Sequence, residues 1–239
     1  MIKVGVSIVV YQENEQTLQR VLNLLNDFNV VVFDNSNEDR LRKVCNYYDN
    51  VLYYFNNKNI GFGAGHNRAF SLLQEQKNDI YLVLNPDIFF NIEVLKYFLQ
   101  WFYQSKGTAL ALPNILNEDG SVQHVVREVP TITSLIKRKL GLKTDEITIQ
   151  KNSICEIPWA HGCFMAFKMD VFKKLGGFDE QFFMYMEDVD IWLRAKQYGK
   201  TVINTNFEIY HEHRRGSSKN IRLFYCHLVS AVKFFLKYK

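Results

Sequence analysis

Short apolar runs rich in β-branched residues alternate with amphipathic stretches through the first half of this chain. Strands are predicted at Val4 to Val10, Val30 to Phe33, Val51 to Phe55 and Ile80 to Leu84. Helical periodicity fills the intervals, as expected for parallel strands, because a parallel pair needs a long crossover connection. We therefore predict an α/β fold with a mostly parallel central sheet flanked by helices.

The remaining elements complete this outline. Helices are predicted over Glu13 to Leu25, Glu38 to Tyr48, Ala64 to Leu73, Asn91 (as the cap) to Tyr103, Met169 to Leu175, Glu187 to Tyr198 and Ile221 to Lys239. Later strands are predicted at Thr108 to Leu112, Ile157 to Lys168, Val202 to Ile203 and Glu208 to Tyr210. Residues 130–155 are polar, basic and weakly periodic, and we predict a mobile loop or lid there.

Composition excludes several classes of protein. The 239 residues, 47% hydrophobic, suit an ordinary globular domain with a sizeable core. Four scattered cysteines without a CxxC pair indicate neither a zinc site nor a redox motif, and they favour a reducing compartment. The net charge of +4 is too small to indicate nucleic acid as a partner. No apolar stretch approaches the ~20 residues of a membrane span and the first one is too short for a signal peptide, so we expect a cytoplasmic protein.

Three polar clusters follow predicted strands at the edge where parallel strands end. Asp34 follows the second strand, Gly61 to Gly65 the third, and Asn85-Pro86-Asp87 the fourth. Each cluster alone is typical of an ordinary turn, but ligands of open α/β sheets bind at this edge. Together they place two carboxylates and a flexible backbone where a nucleoside diphosphate and its metal could bind. Asp87 ends a buried strand and is an oxygen ligand of the kind that Mg²⁺ or Mn²⁺ prefers.

An aromatic loop after Gly176 leads into a cluster of acids. Glu187, Asp188 and Asp190 crowd the start of a predicted helix, where the helix dipole favours anions. Capping, together with a pair between Asp190 and Arg194, would account for part of this pattern. An aromatic-lined cleft with a carboxylate also suits a sugar acceptor and a general base.

Two histidines, His211 and His213, follow the last predicted strand and precede basic and hydroxyl residues. An isolated histidine is usually structural. A pair in this context could instead supply a metal ligand and contacts to a diphosphate.

The order of these motifs resembles that of the inverting family-2 glycosyltransferases of the GT-A fold, in particular the bacterial rhamnosyltransferase-like members that build cell-surface polysaccharides. The likeness extends from residue 4 to residue 218. It is carried by VSIVVY, VVFDNS, NKNIGFGAGHNRAF, LVLNPDIFF, GCFMAFKMDVFKKLGGFDEQFFMYMEDVDIWLRAKQYG and HEHRRGSS. One departure is Asn85, which stands where a full DxD motif has its first carboxylate.

The resemblance implies roles for the matching positions. Asp87 and His211 would bind a divalent metal, Mg²⁺ or Mn²⁺, with His213 as the alternative to His211. Asp188 would be the catalytic base beside Glu187. The donor would contact Tyr11, Glu13, Asp34 (on the pyrimidine base), Gly61, Asn67, Arg68, Asn85 and Asp87. The acceptor would contact Trp159, His161, Tyr185 and Glu187.

The resemblance also implies an activity. The chain would transfer a sugar, with inversion, from a nucleoside-diphosphate donor to a hydroxyl of a growing, lipid-linked cell-surface glycan. We expect dTDP-rhamnose as the donor, with a UDP-hexose or UDP-N-acetylhexosamine as the alternative, and a non-catalytic sugar-nucleotide or glycan-binding module as a further one. Residues 1–112 would form the nucleotide-sugar-binding half of a domain over 1–218, and 113–218 the acceptor and catalytic half.

Residues 219–239 are predicted to form a separate amphipathic helix. A helical projection places Ile221, Phe224, Tyr225, Leu228, Val232 and Phe235 on one face, opposite Arg222, Ser230, Lys233 and Lys237. We expect the apolar face to pack against the domain. The alternative is peripheral attachment to the inner face of the cytoplasmic membrane, where a lipid-linked acceptor would be found.

Overall fold

A computed structural model of the protein describes residues 2–142, 145–212 and 221–239. Its strands are β1 Val4–Val10, β2 Asn29–Asp34, β3 Val51–Phe55, β4 Ile80–Leu84, β5 Ile88–Phe89, β6 Thr108–Leu116, β7 Val126–Arg127, β8 Ile154–Glu156, β9 Trp159–Ala160, β10 Phe164–Lys168 and β11 Lys200–His211. Its helices are α1 Glu15–Leu22, α2 Arg42–Cys45, α3 Phe62–Leu73, α4 Ile92–Gln104, α5 Ile132–Lys139, α6 Met169–Leu175, α7 Glu187–Ala195 and α8 Ile221–Lys237.

The main sheet has the order β3-β2-β1-β4-β10-β6-β11-β5, and β8 also pairs with β11. β1 is parallel to both β2 and β4, and β2 is parallel to β3. Beyond β4 the sheet becomes mixed, because β10 runs antiparallel to both of its neighbours. Every residue of β4 and of β6 is buried, which explains why β4 is a continuous apolar run in the sequence. The predicted α/β class is confirmed.

The first helices differ from their predicted bounds for local reasons. Helix α1 begins later than predicted because the Asn14 side chain accepts a hydrogen bond from the Gln16 N–H (2.8 Å) and caps it. Helix α2 is only four residues long. The predicted glycine loop is mostly the first turn of α3, which follows Gly61 directly. Helix α4 begins after its predicted cap, since Asn91 accepts a hydrogen bond from the Glu93 N–H (2.9 Å).

The prediction of a loop or lid over residues 130–155 is wrong in part, because this segment contains helix α5 and strand β8. Thr131 and Ser134 form a reciprocal cap: the Thr131 hydroxyl accepts from the Ser134 N–H (3.1 Å) and the Ser134 hydroxyl accepts from the Thr131 N–H (3.0 Å). The helix was missed because its apolar pattern is short and its capping side chains do not include the acidic residue of the usual motif.

The strands of the second half were predicted with the wrong divisions. The run from Ile157 to Lys168 separates into β9 and β10, which belong to different sheets, since β9 pairs with β7 and β10 pairs with β4 and β6. The two short strands predicted after residue 200 are one strand, β11. It remains continuous across a register shift between Asn204 and Glu208, where it pairs with β6.

Helix α8 packs against the domain, but mainly through side chains outside the predicted apolar face, from which Phe235 contacts the core. Ser230, Ala231 and Phe234 are buried, whereas Leu228 and Val232 are exposed. Ser230, Lys233 and Lys237, which the projection assigned to the solvent, have polar partners in the domain. None of the helices within the described residues is both long enough and apolar enough to cross a bilayer.

Candidate functional site

The carboxyl ends of β1 and β2 are joined to the start of α3 and to a turn formed by residues 183–186. The Asn35 N–H donates to the Val10 carbonyl (2.8 Å), and its side-chain amide donates to the Gly61 carbonyl (3.0 Å). The Phe62 N–H in turn donates to the Phe183 carbonyl (3.2 Å). The 183–186 turn, which precedes α7, therefore lies at the same edge of the sheet as Asp34.

Gly61 is the residue that permits this close approach. Its φ is +98°, and a Cβ added there would lie 2.2 Å from the Phe183 carbonyl oxygen. No side chain fits without moving the backbone of the 183–186 turn.

We predict that Gly61→Ala destabilises the protein more than Gly107→Ala does. Both glycines have positive φ, but a Cβ at Gly107 would have no heavy atom within 4 Å. Gly107→Ala should lower the free energy of unfolding by about 1–2 kcal/mol through its backbone conformation alone. Gly61→Ala should lower it by this amount and, in addition, by the free energy needed to displace Phe183. Urea unfolding of the two variants measures the difference. Equal decreases in the free energy of unfolding would show that the 183–186 turn moves away from Gly61 without a measurable cost.

Asp87 and His211 come together through a short antiparallel pairing. His211 is opposite Ile88 where β11 pairs with β5, and Asp87 directly precedes β5. The His211 Nε2 atom lies 3.3 Å from Asp87 Oδ1. On its other side, His211 Nδ1 donates to Gln123 Oε1 at 2.7 Å, which fixes the ring orientation. Gln123 was not predicted from the sequence, since it lies in an irregular segment with no pattern.

Burial and the neighbouring carboxylate act in opposite directions on the pKa of His211. Burial alone would lower the pKa of His211, but contacts with the Asp87 carboxylate, and then with Cys163, raise its pKa to about 10. Within the described residues, Asp87 Oδ1 is buried and has no well-aligned hydrogen-bond donor.

These two side chains fit a divalent cation that also binds a diphosphate. A carboxylate oxygen and an imidazole nitrogen face each other, and the carboxylate has an unused lone pair. Within residues 2–142, 145–212 and 221–239, no group of three or more acidic, histidine or cysteine ligands could hold a metal unaided. Mg²⁺ and Mn²⁺ sites that bind phosphates commonly use one or two protein ligands, the rest being phosphate oxygens and water. His213, the alternative ligand, lies outside the described residues.

A polar cavity of about 610 Å³ opens beside His211. His161 and Arg127 line it, and Arg127 Nε donates to His161 Nε2 at 3.1 Å. Glu146 lies 3.5 Å from the same guanidinium. A cavity of this volume and polarity suits a small hydrophilic ligand such as a sugar.

The 183–186 turn, which directly precedes Glu187 and Asp188, has a strained backbone. Tyr185 and Met186 both have left-handed φ values, 68° and 66°, and neither is glycine. Such conformations cost free energy and persist where the surrounding structure enforces them, which is frequent at functional sites. Asp188 is half-buried in the first turn of α7, where its carboxylate accepts from the Val189 N–H (2.9 Å).

Glu187 differs from Asp188 in being buried. Its side chain is 6% exposed, and Oε2 has no hydrogen-bond partner among the described residues. Burial, and then the negative charge of Asp188, raise the pKa of Glu187 well above its usual value of 4.5. Burial therefore favours the protonated form of Glu187 at the start of α7.

The raised pKa of Glu187 predicts a pH dependence of stability. The folded protein keeps a proton that the unfolded chain releases above 4.5, so the free energy of unfolding should fall as the pH rises from there towards the folded-state pKa. Glu187→Gln should remove this downward slope and be more stable than wild type at neutral pH. Urea unfolding between pH 5 and pH 8 tests this, with Glu118→Gln at an exposed site as the control; parallel slopes for wild type and Glu187→Gln would contradict it.

The predicted pair between Asp190 and Arg194 is present, with Arg194 Nε 2.8 Å from Asp190 Oδ2. The other Asp190 oxygen accepts from Lys237 Nζ (2.6 Å) and from the Tyr238 hydroxyl (2.8 Å). Asp190 is fully buried and therefore has a structural role, because it links α7 to the C-terminal segment. The contribution of Lys237 and Tyr238 could not be predicted, since no local sequence pattern links them to Asp190.

Several predicted ligand contacts have protein partners in the structure. Asp34 is fully buried at the end of β2, where it accepts from the Ser36 N–H and the Tyr53 hydroxyl (both 2.8 Å). Tyr11 is 44% exposed beyond β1, and Glu13 accepts from the Asn14 N–H. Asn85 follows β4, and its N–H donates to the Cys163 carbonyl (2.9 Å). The roles of these four residues stay predictions.

Four other predicted contacts are held by local interactions. The Asn67 side chain both donates to the Phe178 carbonyl and accepts from its N–H, and Arg68 forms an exposed ion pair with Glu180. Trp159 is buried, with its indole N–H on the Glu128 carbonyl (2.8 Å). The Tyr185 ring packs against His227 of α8 at a centroid distance of 5.0 Å.

Comparison with known proteins identifies relatives of this chain. Residues 6–176 match the model of the family described as Glycosyl transferase family 2. The chain is 30% identical over 192 residues to the low-salt glycan biosynthesis hexosyltransferase Agl10 of Haloferax volcanii, with 80% of this chain and 61% of Agl10 covered. It is 27% identical over 243 residues to the rhamnosyltransferase WbbL of Escherichia coli strain K12, with 95% and 90% covered.

A third relative is the N-acetylglucosaminyl-diphospho-decaprenol L-rhamnosyltransferase of Mycobacterium tuberculosis, 27% identical over 188 residues. That match covers 71% of this chain and 61% of the mycobacterial protein. The chain thus spans about three fifths of the length of two of these relatives, and most of WbbL.

A solved structure shares the fold. The crystal structure of GalNAc-T7 with UDP, GalNAc and Mn²⁺ aligns with a TM-score of 0.66 at 16% identity, covering 92% of this chain and 45% of the other. At this identity the likeness concerns the fold alone, which is that of the GT-A glycosyltransferases.

Proposed function

Because the chain belongs to glycosyl transferase family 2, we propose that this glycosyltransferase transfers L-rhamnose from dTDP-rhamnose to a hydroxyl group of a lipid-linked cell-surface glycan. The observation that carries the proposal is the pairing of Asp87 with His211 beside a polar cavity at the edge of the sheet. The rhamnose donor is supported by the names of two relatives, which are rhamnosyltransferases. The lipid-linked acceptor is supported by the diphospho-decaprenol in the name of one of them.

In this proposal Asp87 and His211 hold a divalent metal, Mg²⁺ or Mn²⁺. The GT-A structure of GalNAc-T7 contains Mn²⁺ together with UDP, which supports a metal for the same fold. When bound, the cation would neutralise negative charge on the diphosphate leaving group. Gln123 orients the His211 ring and thereby keeps Nε2 directed towards Asp87.

Asp188 is the proposed general base. Its carboxylate would accept the proton of the acceptor hydroxyl while that oxygen forms a bond with the anomeric carbon. The bond from the anomeric carbon to the diphosphate oxygen breaks in the same step, and the nucleoside diphosphate leaves with the electron pair. Attack from the face opposite to the leaving group inverts the anomeric configuration. Glu187, with its raised pKa, would hold a proton more readily than an exposed glutamate does, beside the proposed base.

Donor binding would use the polar edge formed by β1, β2 and α3. Asp34 is the proposed contact to the pyrimidine base, flanked by Tyr11 and Glu13. Gly61, Asn67, Arg68 and Asn85 are the further proposed donor contacts, and Trp159, His161, Tyr185 and Glu187 the acceptor contacts. Of these, His161 has the clearest support, since it lines the cavity beside His211.

A different donor is the second candidate. Agl10 is named a hexosyltransferase, and GalNAc-T7 binds UDP and GalNAc, so a UDP-hexose or UDP-N-acetylhexosamine would be the alternative substrate. A non-catalytic binding module is the third candidate. It would bind the donor without metal-dependent hydrolysis or transfer.

Thermal unfolding with a panel of dTDP- and UDP-sugars, with and without Mn²⁺, tests the donor. A ligand at 100 times its dissociation constant stabilises the folded state by about 2.7 kcal/mol, which is easily measured as a rise in melting temperature. We expect the largest rise with dTDP-rhamnose and Mn²⁺ together. A larger rise with a UDP-sugar would identify that sugar nucleotide as the donor instead. A donor that binds but is not hydrolysed in the presence of metal would favour the non-catalytic binding module.

A further inference from the structure

The chain enters helix α7, which carries Asp188, through a series of turns. Residues 176–186 connect α6 to α7 by turns and bends. Tyr185 and Met186, at the end of this connection, both have left-handed φ values. Such a backbone persists where the surrounding structure enforces it. The position of Asp188, two residues further on, therefore depends on what holds the connection in place.

Helix α8 binds two backbone carbonyls of this connection. The Ser230 hydroxyl donates to the Met184 carbonyl (2.8 Å). One turn further along the helix, Lys233 Nζ donates to the Gln181 carbonyl (2.6 Å). Ser230 is only 2% exposed, so water could not easily replace its hydrogen bond to the carbonyl. Ser230 therefore fixes the 183–186 turn at Met184.

Lys237 joins the start of the same connection to helix α7. Its Nζ atom lies 2.6 Å from Asp179 Oδ2 and 2.6 Å from Asp190 Oδ1. The Tyr238 hydroxyl donates to the same Asp190 oxygen (2.8 Å). Asp190 is fully buried and lies in the first turn of α7, two residues after Asp188. A buried carboxylate holds its cations tightly, because losing one leaves its charge incompletely compensated.

We propose that Ser230 and Lys237 are positioning residues, which hold Asp188 where it can act as the base. The inference rests on the proposed function, because it needs a reaction in which Asp188 takes a proton. A general base is effective only within hydrogen-bond distance of the proton that it accepts. A displacement of about 1 Å can lower a rate about 10²-fold. Both residues act on Asp188 through the backbone, by way of Met184 and Asp190.

Lys237→Met tests the contribution of the charge, since methionine keeps an unbranched apolar side chain. We expect sugar transfer at saturating donor and acceptor to fall about 10- to 100-fold. The dissociation constant of the donor with Mn²⁺ should stay as in wild type, because Asp34 and Asp87 lie on other elements. Lys237→Arg should recover most of the rate, since a guanidinium group can also donate to both carboxylates.

Ser230→Ala is a second, smaller change in the same helix. It removes the hydroxyl that donates to the Met184 carbonyl and leaves every charge in place. We expect the rate of transfer to fall in the same direction, again with unchanged donor affinity. This variant decides the question if Lys237→Met does not fold.

A double-mutant cycle with Asp188→Asn separates positioning from a general loss of structure. If Lys237 acts through the Asp188 carboxylate, Lys237→Met should have little further effect on the residual rate of Asp188→Asn. A general loss of structure would instead lower that residual rate by the same factor as it lowers the wild-type rate. Ser230→Ala is tested in the same cycle.

Hydrogen exchange measures the segment directly, without donor or acceptor. Backbone amides of residues 181–190 should exchange faster in Lys237→Met and in Ser230→Ala than in wild type. Amides of α4 should exchange as in wild type. Circular dichroism checks that each variant is folded, and all rates are measured well below its unfolding temperature.

The matched control is Lys200→Met. Lys200 Nζ lies 2.7 Å from Glu156 Oε1, and both side chains are exposed. The substitution removes a lysine of an ion pair of similar length at the surface. It should leave the rate of transfer, and the exchange of residues 181–190, as in wild type.

The outcomes separate this inference from the proposed function. Wild-type transfer by Lys237→Met and Ser230→Ala, together with a loss in Asp188→Asn, would overturn the inference and leave the proposed base in place. Equal factors on both sides of the cycle, or unchanged exchange of residues 181–190, would also overturn it. If no transfer is detected with any donor, the proposed function fails, and hydrogen exchange still shows whether α8 holds the segment.

Discussion

Asp188→Asn is expected to lower the rate of sugar transfer about 10²–10⁴-fold, which is the usual contribution of a general base. The amide keeps the size and the hydrogen bond from the Val189 N–H, but it cannot take the proton of the acceptor hydroxyl. Donor binding should be nearly unchanged, since the proposed donor contacts are on other elements. The measurement combines single-turnover transfer with the donor- and Mn²⁺-dependent rise in melting temperature.

The control for this variant is Asp170→Asn. Asp170 is an exposed acid on α6 that pairs with Lys174. Its replacement by asparagine makes the same chemical change at a position outside the proposed site. It should transfer sugar at the wild-type rate. Full activity of Asp188→Asn would remove Asp188 from the proposed role, and a matching loss of donor binding would show that the substitution disturbs the whole site.

The parallel half of the sheet could be predicted because its signals are local. Each of its strands is a short apolar run, and burial on both faces makes that run continuous in β1, β2 and β4. The caps at Asn14 and Asn91 act within a few residues and set the starts of α1 and α4. The second half was harder, since β9 and β10 are consecutive in sequence but belong to different sheets. That division depends on tertiary pairing rather than on composition.

The candidate site could be predicted only as a set of separate residues. Asp87 and His211 were both expected from their motifs, but their contact depends on β5, a strand of two residues with no recognisable pattern. Gln123, which orients His211, lies in an irregular segment and gave no signal. The burial that raises the pKa of Glu187 is likewise a property of packing, invisible in the sequence.

Helix α8 shows a further limit of pattern analysis. A helical projection identifies an apolar and a polar face but does not indicate which face meets the protein. Here the polar face finds the buried Asp190 and two backbone carbonyls, and these specific contacts outweigh burial of the apolar face. An amphipathic helix could therefore be predicted, but most of the side chains that meet the domain, Phe235 apart, could not.

Asp87→Asn should abolish the metal dependence of donor binding and lower transfer at least about 10²-fold, since metal ions contribute several kcal/mol to such reactions and 1.36 kcal/mol is tenfold in rate. The substitution keeps the shape of the side chain but removes the charge that a divalent cation requires. Wild type should lose activity in EDTA and regain it with Mn²⁺ or Mg²⁺. Asp87→Asn should show little recovery at the same metal concentration.

A measurement that does not depend on activity makes this prediction sharper. Mn²⁺ bound to the protein can be counted by its electron paramagnetic resonance signal, in the presence of donor and with each variant. Asp87→Asn and His211→Gln should both weaken Mn²⁺ binding, because the two side chains face each other at 3.3 Å and would share one cation. Asp49→Asn, at an exposed acid, should bind Mn²⁺ as wild type does. Tight Mn²⁺ binding by Asp87→Asn would show that the metal binds elsewhere. The diphosphate, on which the proposed transfer depends, would then also bind elsewhere.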